Sequence, residues 1–232
     1  MLAFFSIITA SFQSFFIINF LIIIHEIGHT LVAYLFKVKV EKIYLYPLGG
    51  IAKFNMDLNI SPVKELLILV AGPFFQCLAY FILLFVIPTK TDLIKVYHYG
   101  ILLFNLLPIY PLDGGKILQL FLEKIFPYQL SFKIIFVISY LSLIILCYLL
   151  LPLSINGFTM ILLLFFFIEK ERHKIDNIYN KFLLERYLKK YSFKKCELIQ
   201  NEKNFYRGKR HLIKEGDSYC LEKDFLEKKY HI

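Results

Sequence analysis

The sequence predicts an all-α polytopic membrane protein of about five to six transmembrane helices, with a short membrane-associated β-hairpin and a small cytoplasmic C-terminal tail. Three observations carry this. Hydrophobic residues make up 58% of the 232 residues, with 25 Phe and 16 Tyr, and mean hydropathy is +0.60, outside the range of ordinary soluble domains. Apolar runs of about spanning length recur through residue 168. Basic residues then gather behind the last run: residues 169–232 hold 17 Lys plus Arg against 11 Asp plus Glu. A basic flank of this kind belongs to a membrane-adjacent cytoplasmic tail, so the net charge of +9 does not call for a nucleic-acid partner.

In chain order, residues 1–14 are apolar but too few to span, and Ser6, Thr9, Ser11 and Gln13 interrupt them. They read as a partial or hairpin-forming first segment, or as a sign that the true start lies upstream. No cleavable leader is expected, because no Lys or Arg precedes Lys37 and no small-residue cleavage site leads into a soluble domain. Phe15 to Phe36 is the first full span. Val38 to Tyr46 then alternates in β-branched and aromatic residues and runs into Pro47-Leu48-Gly49-Gly50, which predicts a short strand pair turning at glycines. Glu65 to Ile87, Leu93 to Leu112, Phe132 to Leu151 and the shorter Ile155 to Ile168 complete the spans. The domain division is 1–168 for the membrane part and 169–232 for the tail. Cys77 and Cys147 lie in apolar runs, Cys196 and Cys220 in the tail, and no C-x-x-C pair occurs, so neither disulfides nor thiolate metal sites are expected.

Charge sets the orientation. With the tail on the cytoplasmic side, Lys37, Lys39, Lys42, Lys53, Lys64, Lys116, Lys124 and Lys133 fall on that same side and only Lys90 and Lys95 on the other, which satisfies the positive-inside rule.

Inside the first full span lies His25-Glu26-Ile27-Gly28-His29, an H-E-x-x-H pentad. On a helix the i, i+4 spacing puts both imidazoles on one face about a turn apart, where they can share a metal, and Glu26 can reach a water beside it. Ionisable groups at membrane depth are costly and point to function. The orientation above places them in the inner half of the span, reached from the cytoplasm.

A catalytic zinc takes three protein ligands and keeps one position open. The best candidate for the third is Asp113, in Phe104-Asn105-Leu106-Leu107-Pro108-Ile109-Tyr110-Pro111-Leu112-Asp113-Gly114-Gly115, at the same inferred depth as the histidines. Pro108 and Pro111 break the helix, and Gly114 and Gly115 permit close backbone approach. Asn105 could bond a substrate backbone or a developing oxyanion, or make a polar contact between helices. Gly49 and Gly50 either make a turn or shape a strand edge that holds an extended substrate. The remaining histidines are weaker candidates: His98 reads as interfacial, and His173, His211 and His231 as solvated tail residues.

H-E-x-x-H in one span, with N-x-x-P-x-x-P-L-D-G-G two spans later, resembles the site-2 protease family of intramembrane zinc metalloproteases. Ala71-Gly72-Pro73 matches that family's recurrent helix-start motif. More narrowly, Pro47-Leu48-Gly49-Gly50, the segment around Asp113, and Phe182-Leu183-Leu184-Glu185-Arg186-Tyr187 resemble the sporulation branch whose members process the sigma-K precursor in spore formers. The resemblance covers about Phe15 to Tyr187. It implies Zn²⁺ held by His25, His29 and Asp113, Glu26 as general base, and substrate contacts from Asn105, Gly49, Gly50 and Pro111. It also implies a bacterial cell-membrane location, a membrane-associated protein substrate such as a sigma-factor precursor, and inhibitory membrane partners. The branch carries a C-terminal CBS domain that senses ATP. Here Gly208 to Ile213 and Leu221 to Tyr230 read as the end of a truncated one, or as a solvated helical face. The segment from Lys37 to Lys64 has no room for the PDZ domain common in site-2 proteases that act on anti-sigma factors.

Other readings remain at this point: a site-2 protease acting on an anti-sigma factor or another membrane protein; an inactive relative that binds membrane proteins, which would be expected to have lost one of the four residues; and a metal-handling membrane protein, for which further His, Asp or Glu within the spans would be expected.

Overall fold

In the computed structural model, residues 12–46, 49–55, 60–150, 155–189, 191, 193, 195–215 and 218–230 are described. The first segment of the sequence reading and the dipeptide Pro47-Leu48 lie almost wholly or wholly outside them. The chain divides into two units. Helices dominate both, with two small sheets.

The first unit opens with α1 (Phe12–Leu35). Its apolar residues give it a hydrophobic surface on nearly every face, as hydrocarbon surroundings demand. The helix closes on a Schellman-type turn: Lys37 adopts φ 59°, its N–H bonds Tyr34 O, and the Val38 N–H reaches back to Ala33 O. Strands β1 (Lys39–Tyr46) and β2 (Gly49–Asn55) follow as an antiparallel pair with an irregularity between Val40 and Lys42. Gly49 and Gly50 do not form the turn; they open β2, opposite Tyr46 and Leu45. Both strands contact α1.

Helix α2 (Pro62–Val86) packs along α1, and a short 3₁₀ turn (Pro88–Lys90) leads into α3 (Thr91–Asn105). The core they share is Ile17, Leu21, Ala79, Tyr80, Leu83 and Ile94. Gly28 makes the crossing close: a Cβ there would sit 2.6 Å from Ala71 O and 2.9 Å from Phe75 Cβ. Small residues at such crossings let transmembrane backbones approach. Ala71-Gly72-Pro73 does not start a helix, contrary to the motif-based expectation, because Pro73 lies inside α2. Bundled membrane helices tolerate an interior proline where neighbours satisfy the freed backbone groups.

The second unit contains α4 (Asp113–Ile125), α5 (Tyr128–Leu150), α6 (Ile155–Arg172), α7 (Ile175–Leu188) and a three-stranded sheet with α8 (Glu222–Tyr230). Strand β3 (Cys196–Ile199) pairs in parallel with β4 (Arg210–Glu215), and β4 pairs antiparallel with β5 (Ser218–Leu221). An all-α description therefore omits this sheet. The tail is more than a solvated face: Phe182, Leu183, Phe205, Ile213 and Leu226 are buried in it.

Arg186 is the hub of the tail. Its Nε donates to Glu222 at 2.5 Å, Nη1 donates to Tyr206 O at 3.0 Å, and Nη2 donates to Lys209 O. The guanidinium lies over Phe193 at 4.7 Å, with Phe182 and Phe205 farther off. His211 is buried beside it, not solvated as its position in a charged tail suggests. His211 Nδ1 is 3.1 Å from Glu222, and Nε2 accepts from the Tyr206 N–H at 2.9 Å. An Nε2 that accepts must be unprotonated, so the ring is neutral with its proton on Nδ1. Burial holds the His211 pKa below the ordinary value, outweighing the pull of Glu222. Burial pushes the Glu222 carboxyl up, but hydrogen bonds to His211 and Arg186 overcome it and the net shift is downward.

Three helices among the described residues are long and apolar enough to cross a membrane: Phe12–Leu35, Pro62–Val86 and Tyr128–Leu149. The expected span Leu93 to Leu112 is helical only to Asn105. Pro108 and Pro111 lack the N–H a helix needs and disfavour helical geometry in the residues before them.

Candidate metal centre

The pentad sits where its spacing predicts. His25 and His29 project from one face of α1, are 2% and 5% exposed, and bring their Nε2 atoms 3.1 Å apart. Glu26, between them in sequence, is half-buried.

The other nitrogen of each ring is held by α2. His29 Nδ1 is 2.8 Å from the backbone O of Ile68, which can only accept, so Nδ1 carries the proton. His25 Nδ1 is 3.0 Å from Gln76 Oε1. The Gln76 amide nitrogen donates to His98 O at 3.0 Å, which turns the amide oxygen toward His25, so this Nδ1 also carries its proton. Both Nε2 atoms are then lone-pair donors. Two nitrogens bound to one tetrahedral zinc at about 2.05 Å lie about 3.3 Å apart, close to the separation here. The donor chemistry of the pair fits a shared cation.

Gly72 is the wall of this pocket. A Cβ built there would fall 2.3 Å from His29 Nε2 and 2.8 Å from His25 Nε2. Any other residue at 72 would occupy the space over the two nitrogens. Gly28 and Gly72 thus serve different ends: Gly28 brings α2 close, and Gly72 leaves room once it is there.

Asp113, on the second unit, is the first residue of α4 and is 8% exposed. The unbonded N–H groups of a helix's first turn favour negative charge there. Gly115 shapes this turn: a Cβ would lie 2.4 Å from the Ile109 carbonyl carbon and oxygen. The preceding loop folds back on α4 through that gap. Tyr110 N–H donates to Ser139 Oγ at 2.9 Å, and the Tyr110 ring meets Phe132 and Phe136 edge-on. Within the first unit His25 and His29 offer two buried imidazole nitrogens, and within the second Asp113 offers a buried carboxylate oxygen.

The other sequence candidates are less constrained. Asn105 is the last residue of α3 and is half-buried, as is Pro111. Gly49 and Gly50 belong to β2. His98 is 3% exposed, and its ring stacks on Tyr80 at 4.2 Å. The sequence reading passed over Gln76, which is 0% exposed. A single amide in the middle of an otherwise apolar run was the signal available.

Residues 13–99 and 91–149 match the sequence profile of peptidase family M50. Stage IV sporulation protein FB of Bacillus subtilis is 30% identical over 190 residues, covering 78% of this chain and 66% of that protein. A zinc metalloprotease of Methanocaldococcus jannaschii is 34% identical over 167 residues, covering 67% of this chain and 48% of that protein. The matched region is thus just under two thirds of the first relative's length and about half of the second's. Among solved structures, a site-2 protease from Methanocaldococcus jannaschii aligns with a TM-score of 0.56 at 32% identity, covering 67% of this chain and 76% of that one.

Proposed function

The chain belongs to peptidase family M50, and on that premise we propose that it is an intramembrane zinc metalloprotease that hydrolyses a peptide bond in a membrane-associated regulatory precursor. The observation that carries the proposal is the pair of Nε2 atoms 3.1 Å apart, each ring oriented by a bond to its Nδ1. His25, His29 and Asp113 would hold Zn²⁺. Bound there, zinc would supply Lewis acidity, easing deprotonation of a water and polarising a peptide carbonyl.

The chain's own residues do the rest. Glu26 takes the proton of the attacking water on its carboxylate and passes it to the leaving nitrogen. The imidazoles of His25 and His29 lie buried on α1 against α2. Substrate must arrive extended, since a helix keeps its backbone hydrogen-bonded within itself. The hairpin β1–β2 is two-stranded, and an outer edge of such a pair can add an extended peptide as a further strand. Gly49 and Gly50 would shape that edge. Asn105 would bond the substrate backbone, and Pro111 would hold the loop before Asp113 in place.

The substrate we propose is a sporulation sigma-factor precursor. Support comes from the 30% identity to stage IV sporulation protein FB and from the short connection between α1 and α2, filled by the hairpin. The archaeal zinc metalloprotease supports the protease reading apart from sporulation, which keeps another membrane-protein substrate, such as an anti-sigma factor, as the second reading. Two shorter helices, α3 and α6, would bring the number of spans to five, in a bacterial cell membrane with the tail on the cytoplasmic side, as the Lys and Arg distribution favours.

The test is co-expression with candidate precursors, comparing the wild type with Glu26→Gln. Cleavage should fall by 10²–10⁴-fold while zinc stays bound, because the amide keeps the shape but cannot take a proton. Near-normal turnover by Glu26→Gln would remove the metalloprotease reading.

A further inference from the structure

Helix α2 brings a polar side chain of its own to the centre. Gln76 is completely buried in the middle of a span, where an amide needs partners for both its oxygen and its nitrogen. It has them: Oε1 lies 3.0 Å from His25 Nδ1, and Nε2 donates to the backbone O of His98 at 3.0 Å, with the His98 ring nitrogen Nδ1 at 3.4 Å. Three helices are thereby linked in one line, α1 through His25, α2 through Gln76 and α3 through His98.

We propose that Gln76 is a positioning residue for the metal ligand His25, acting through the ring's Nδ1, with the His98 carbonyl locking the amide; this rests on the zinc reading above. Each contact constrains the next. The His98 carbonyl can only accept, so it selects the amide nitrogen and turns Oε1 to α1. Oε1 can only accept, so it selects the Nδ1–H tautomer of His25 and leaves the Nε2 lone pair directed at the site. An accepting oxygen on Nδ1 also raises the basicity of Nε2, as outer partners of metal-bound histidines commonly do. His29 receives the same service from the Ile68 carbonyl, a backbone group that no substitution removes. Gln76 is therefore the adjustable arm of the pair. The stacking of His98 on Tyr80 at 4.2 Å fixes the residue whose carbonyl anchors it.

A packing role and a positioning role predict opposite orders for two substitutions. If Gln76 only filled space, Gln76→Leu, apolar and of similar size, would be tolerated and Gln76→Glu would not. As a positioning residue, Gln76→Leu loses the Nδ1 partner, whereas Gln76→Glu keeps an oxygen acceptor on it. The experiment uses the full chain purified in detergent, measuring zinc affinity by competition with a chromogenic chelator and the visible absorption of the cobalt(II)-substituted protein.

Gln76→Leu should bind zinc about 10–100-fold more weakly than the wild type and show shifted cobalt bands, while Gln76→Glu, which keeps the acceptor on Nδ1 but loses the donor to the His98 carbonyl, should bind zinc more tightly than Gln76→Leu. Helical content, followed by circular dichroism, should be retained in both. Equal affinity and equal bands for Gln76→Leu and the wild type would overturn the inference and leave the zinc reading standing. A wild type that binds no stoichiometric zinc would overturn the zinc reading itself.

Discussion

The Nε2 atoms of His25 and His29 lie 3.1 Å apart on α1, yet what fixes each ring lies on α2: Gln76 for His25 and the Ile68 carbonyl for His29. The pentad supplies the two imidazoles, and the neighbouring helix decides their tautomers and aim. Substitutions in α2 should therefore act on metal binding without touching a ligand.

Gly72→Ala tests this directly. The added Cβ would meet His29 Nε2 at 2.3 Å and His25 Nε2 at 2.8 Å. Ring tips can swing aside, so the fold should survive while zinc content and proteolysis fall by more than about tenfold. Gly28→Ala should behave differently, because its Cβ would meet the backbone O of Ala71 at 2.6 Å. That contact can be relieved only by moving α1 from α2, and loss of folded protein in detergent should accompany loss of zinc. Zinc analysis alongside thermal unfolding separates the two.

Asp113→Asn should weaken zinc binding and reduce cleavage sharply, since a neutral amide oxygen is a poor replacement for a charged ligand. Metal analysis of the purified variant checks it. Full zinc occupancy with full activity would place the third ligand elsewhere.

Arg207 and Glu123 form an ion pair at 2.7 Å with both side chains 5% exposed, and Arg207 also donates to Ile60 O at 2.9 Å. Glu123 lies on α4, the helix that Asp113 opens. Arg207→Ala would leave the Glu123 carboxylate buried without its cation, costing about 3–5 kcal/mol. The tail should then become sensitive to limited proteolysis. Arg207→Ala with Glu123→Leu should recover part of the loss, because an apolar pair leaves no buried charge behind.

Acid should loosen the tail in two stages. His211 titrates below the ordinary value of 6.5 in the folded tail, so the unfolded tail binds more protons and stability declines as pH falls through about 6.5 toward the folded value. Glu222 is likewise held below 4.5 when folded, so its contribution is present above that value and is lost as pH falls further. Protease sensitivity of the region after Arg172, followed from pH 8 to pH 5, should rise on acidification. His211→Phe should flatten the upper stage, because a ring that cannot titrate removes that linkage.

Spacing and composition were enough for the helix that carries the pentad, for three of the apolar spans and for the strand pair, because each is a local pattern: i, i+4 on a helix, run length against bilayer thickness, alternation along a strand. Gln76, Gly72, Arg186 and His211 were beyond such patterns. Gln76 matters only because α2 crosses α1 at Gly28, which sets its amide against a ring 51 positions earlier in the chain. Gly72 looked like part of a helix-start motif until the same crossing put it over two nitrogens. His211 and Arg186 sit in a charged tail that composition assigns to solvent, and only the meeting of β4, α7 and α8 buries them around Glu222. Hydrogen bonds between residues far apart in sequence depend on how helices cross, and no periodicity along one helix records that.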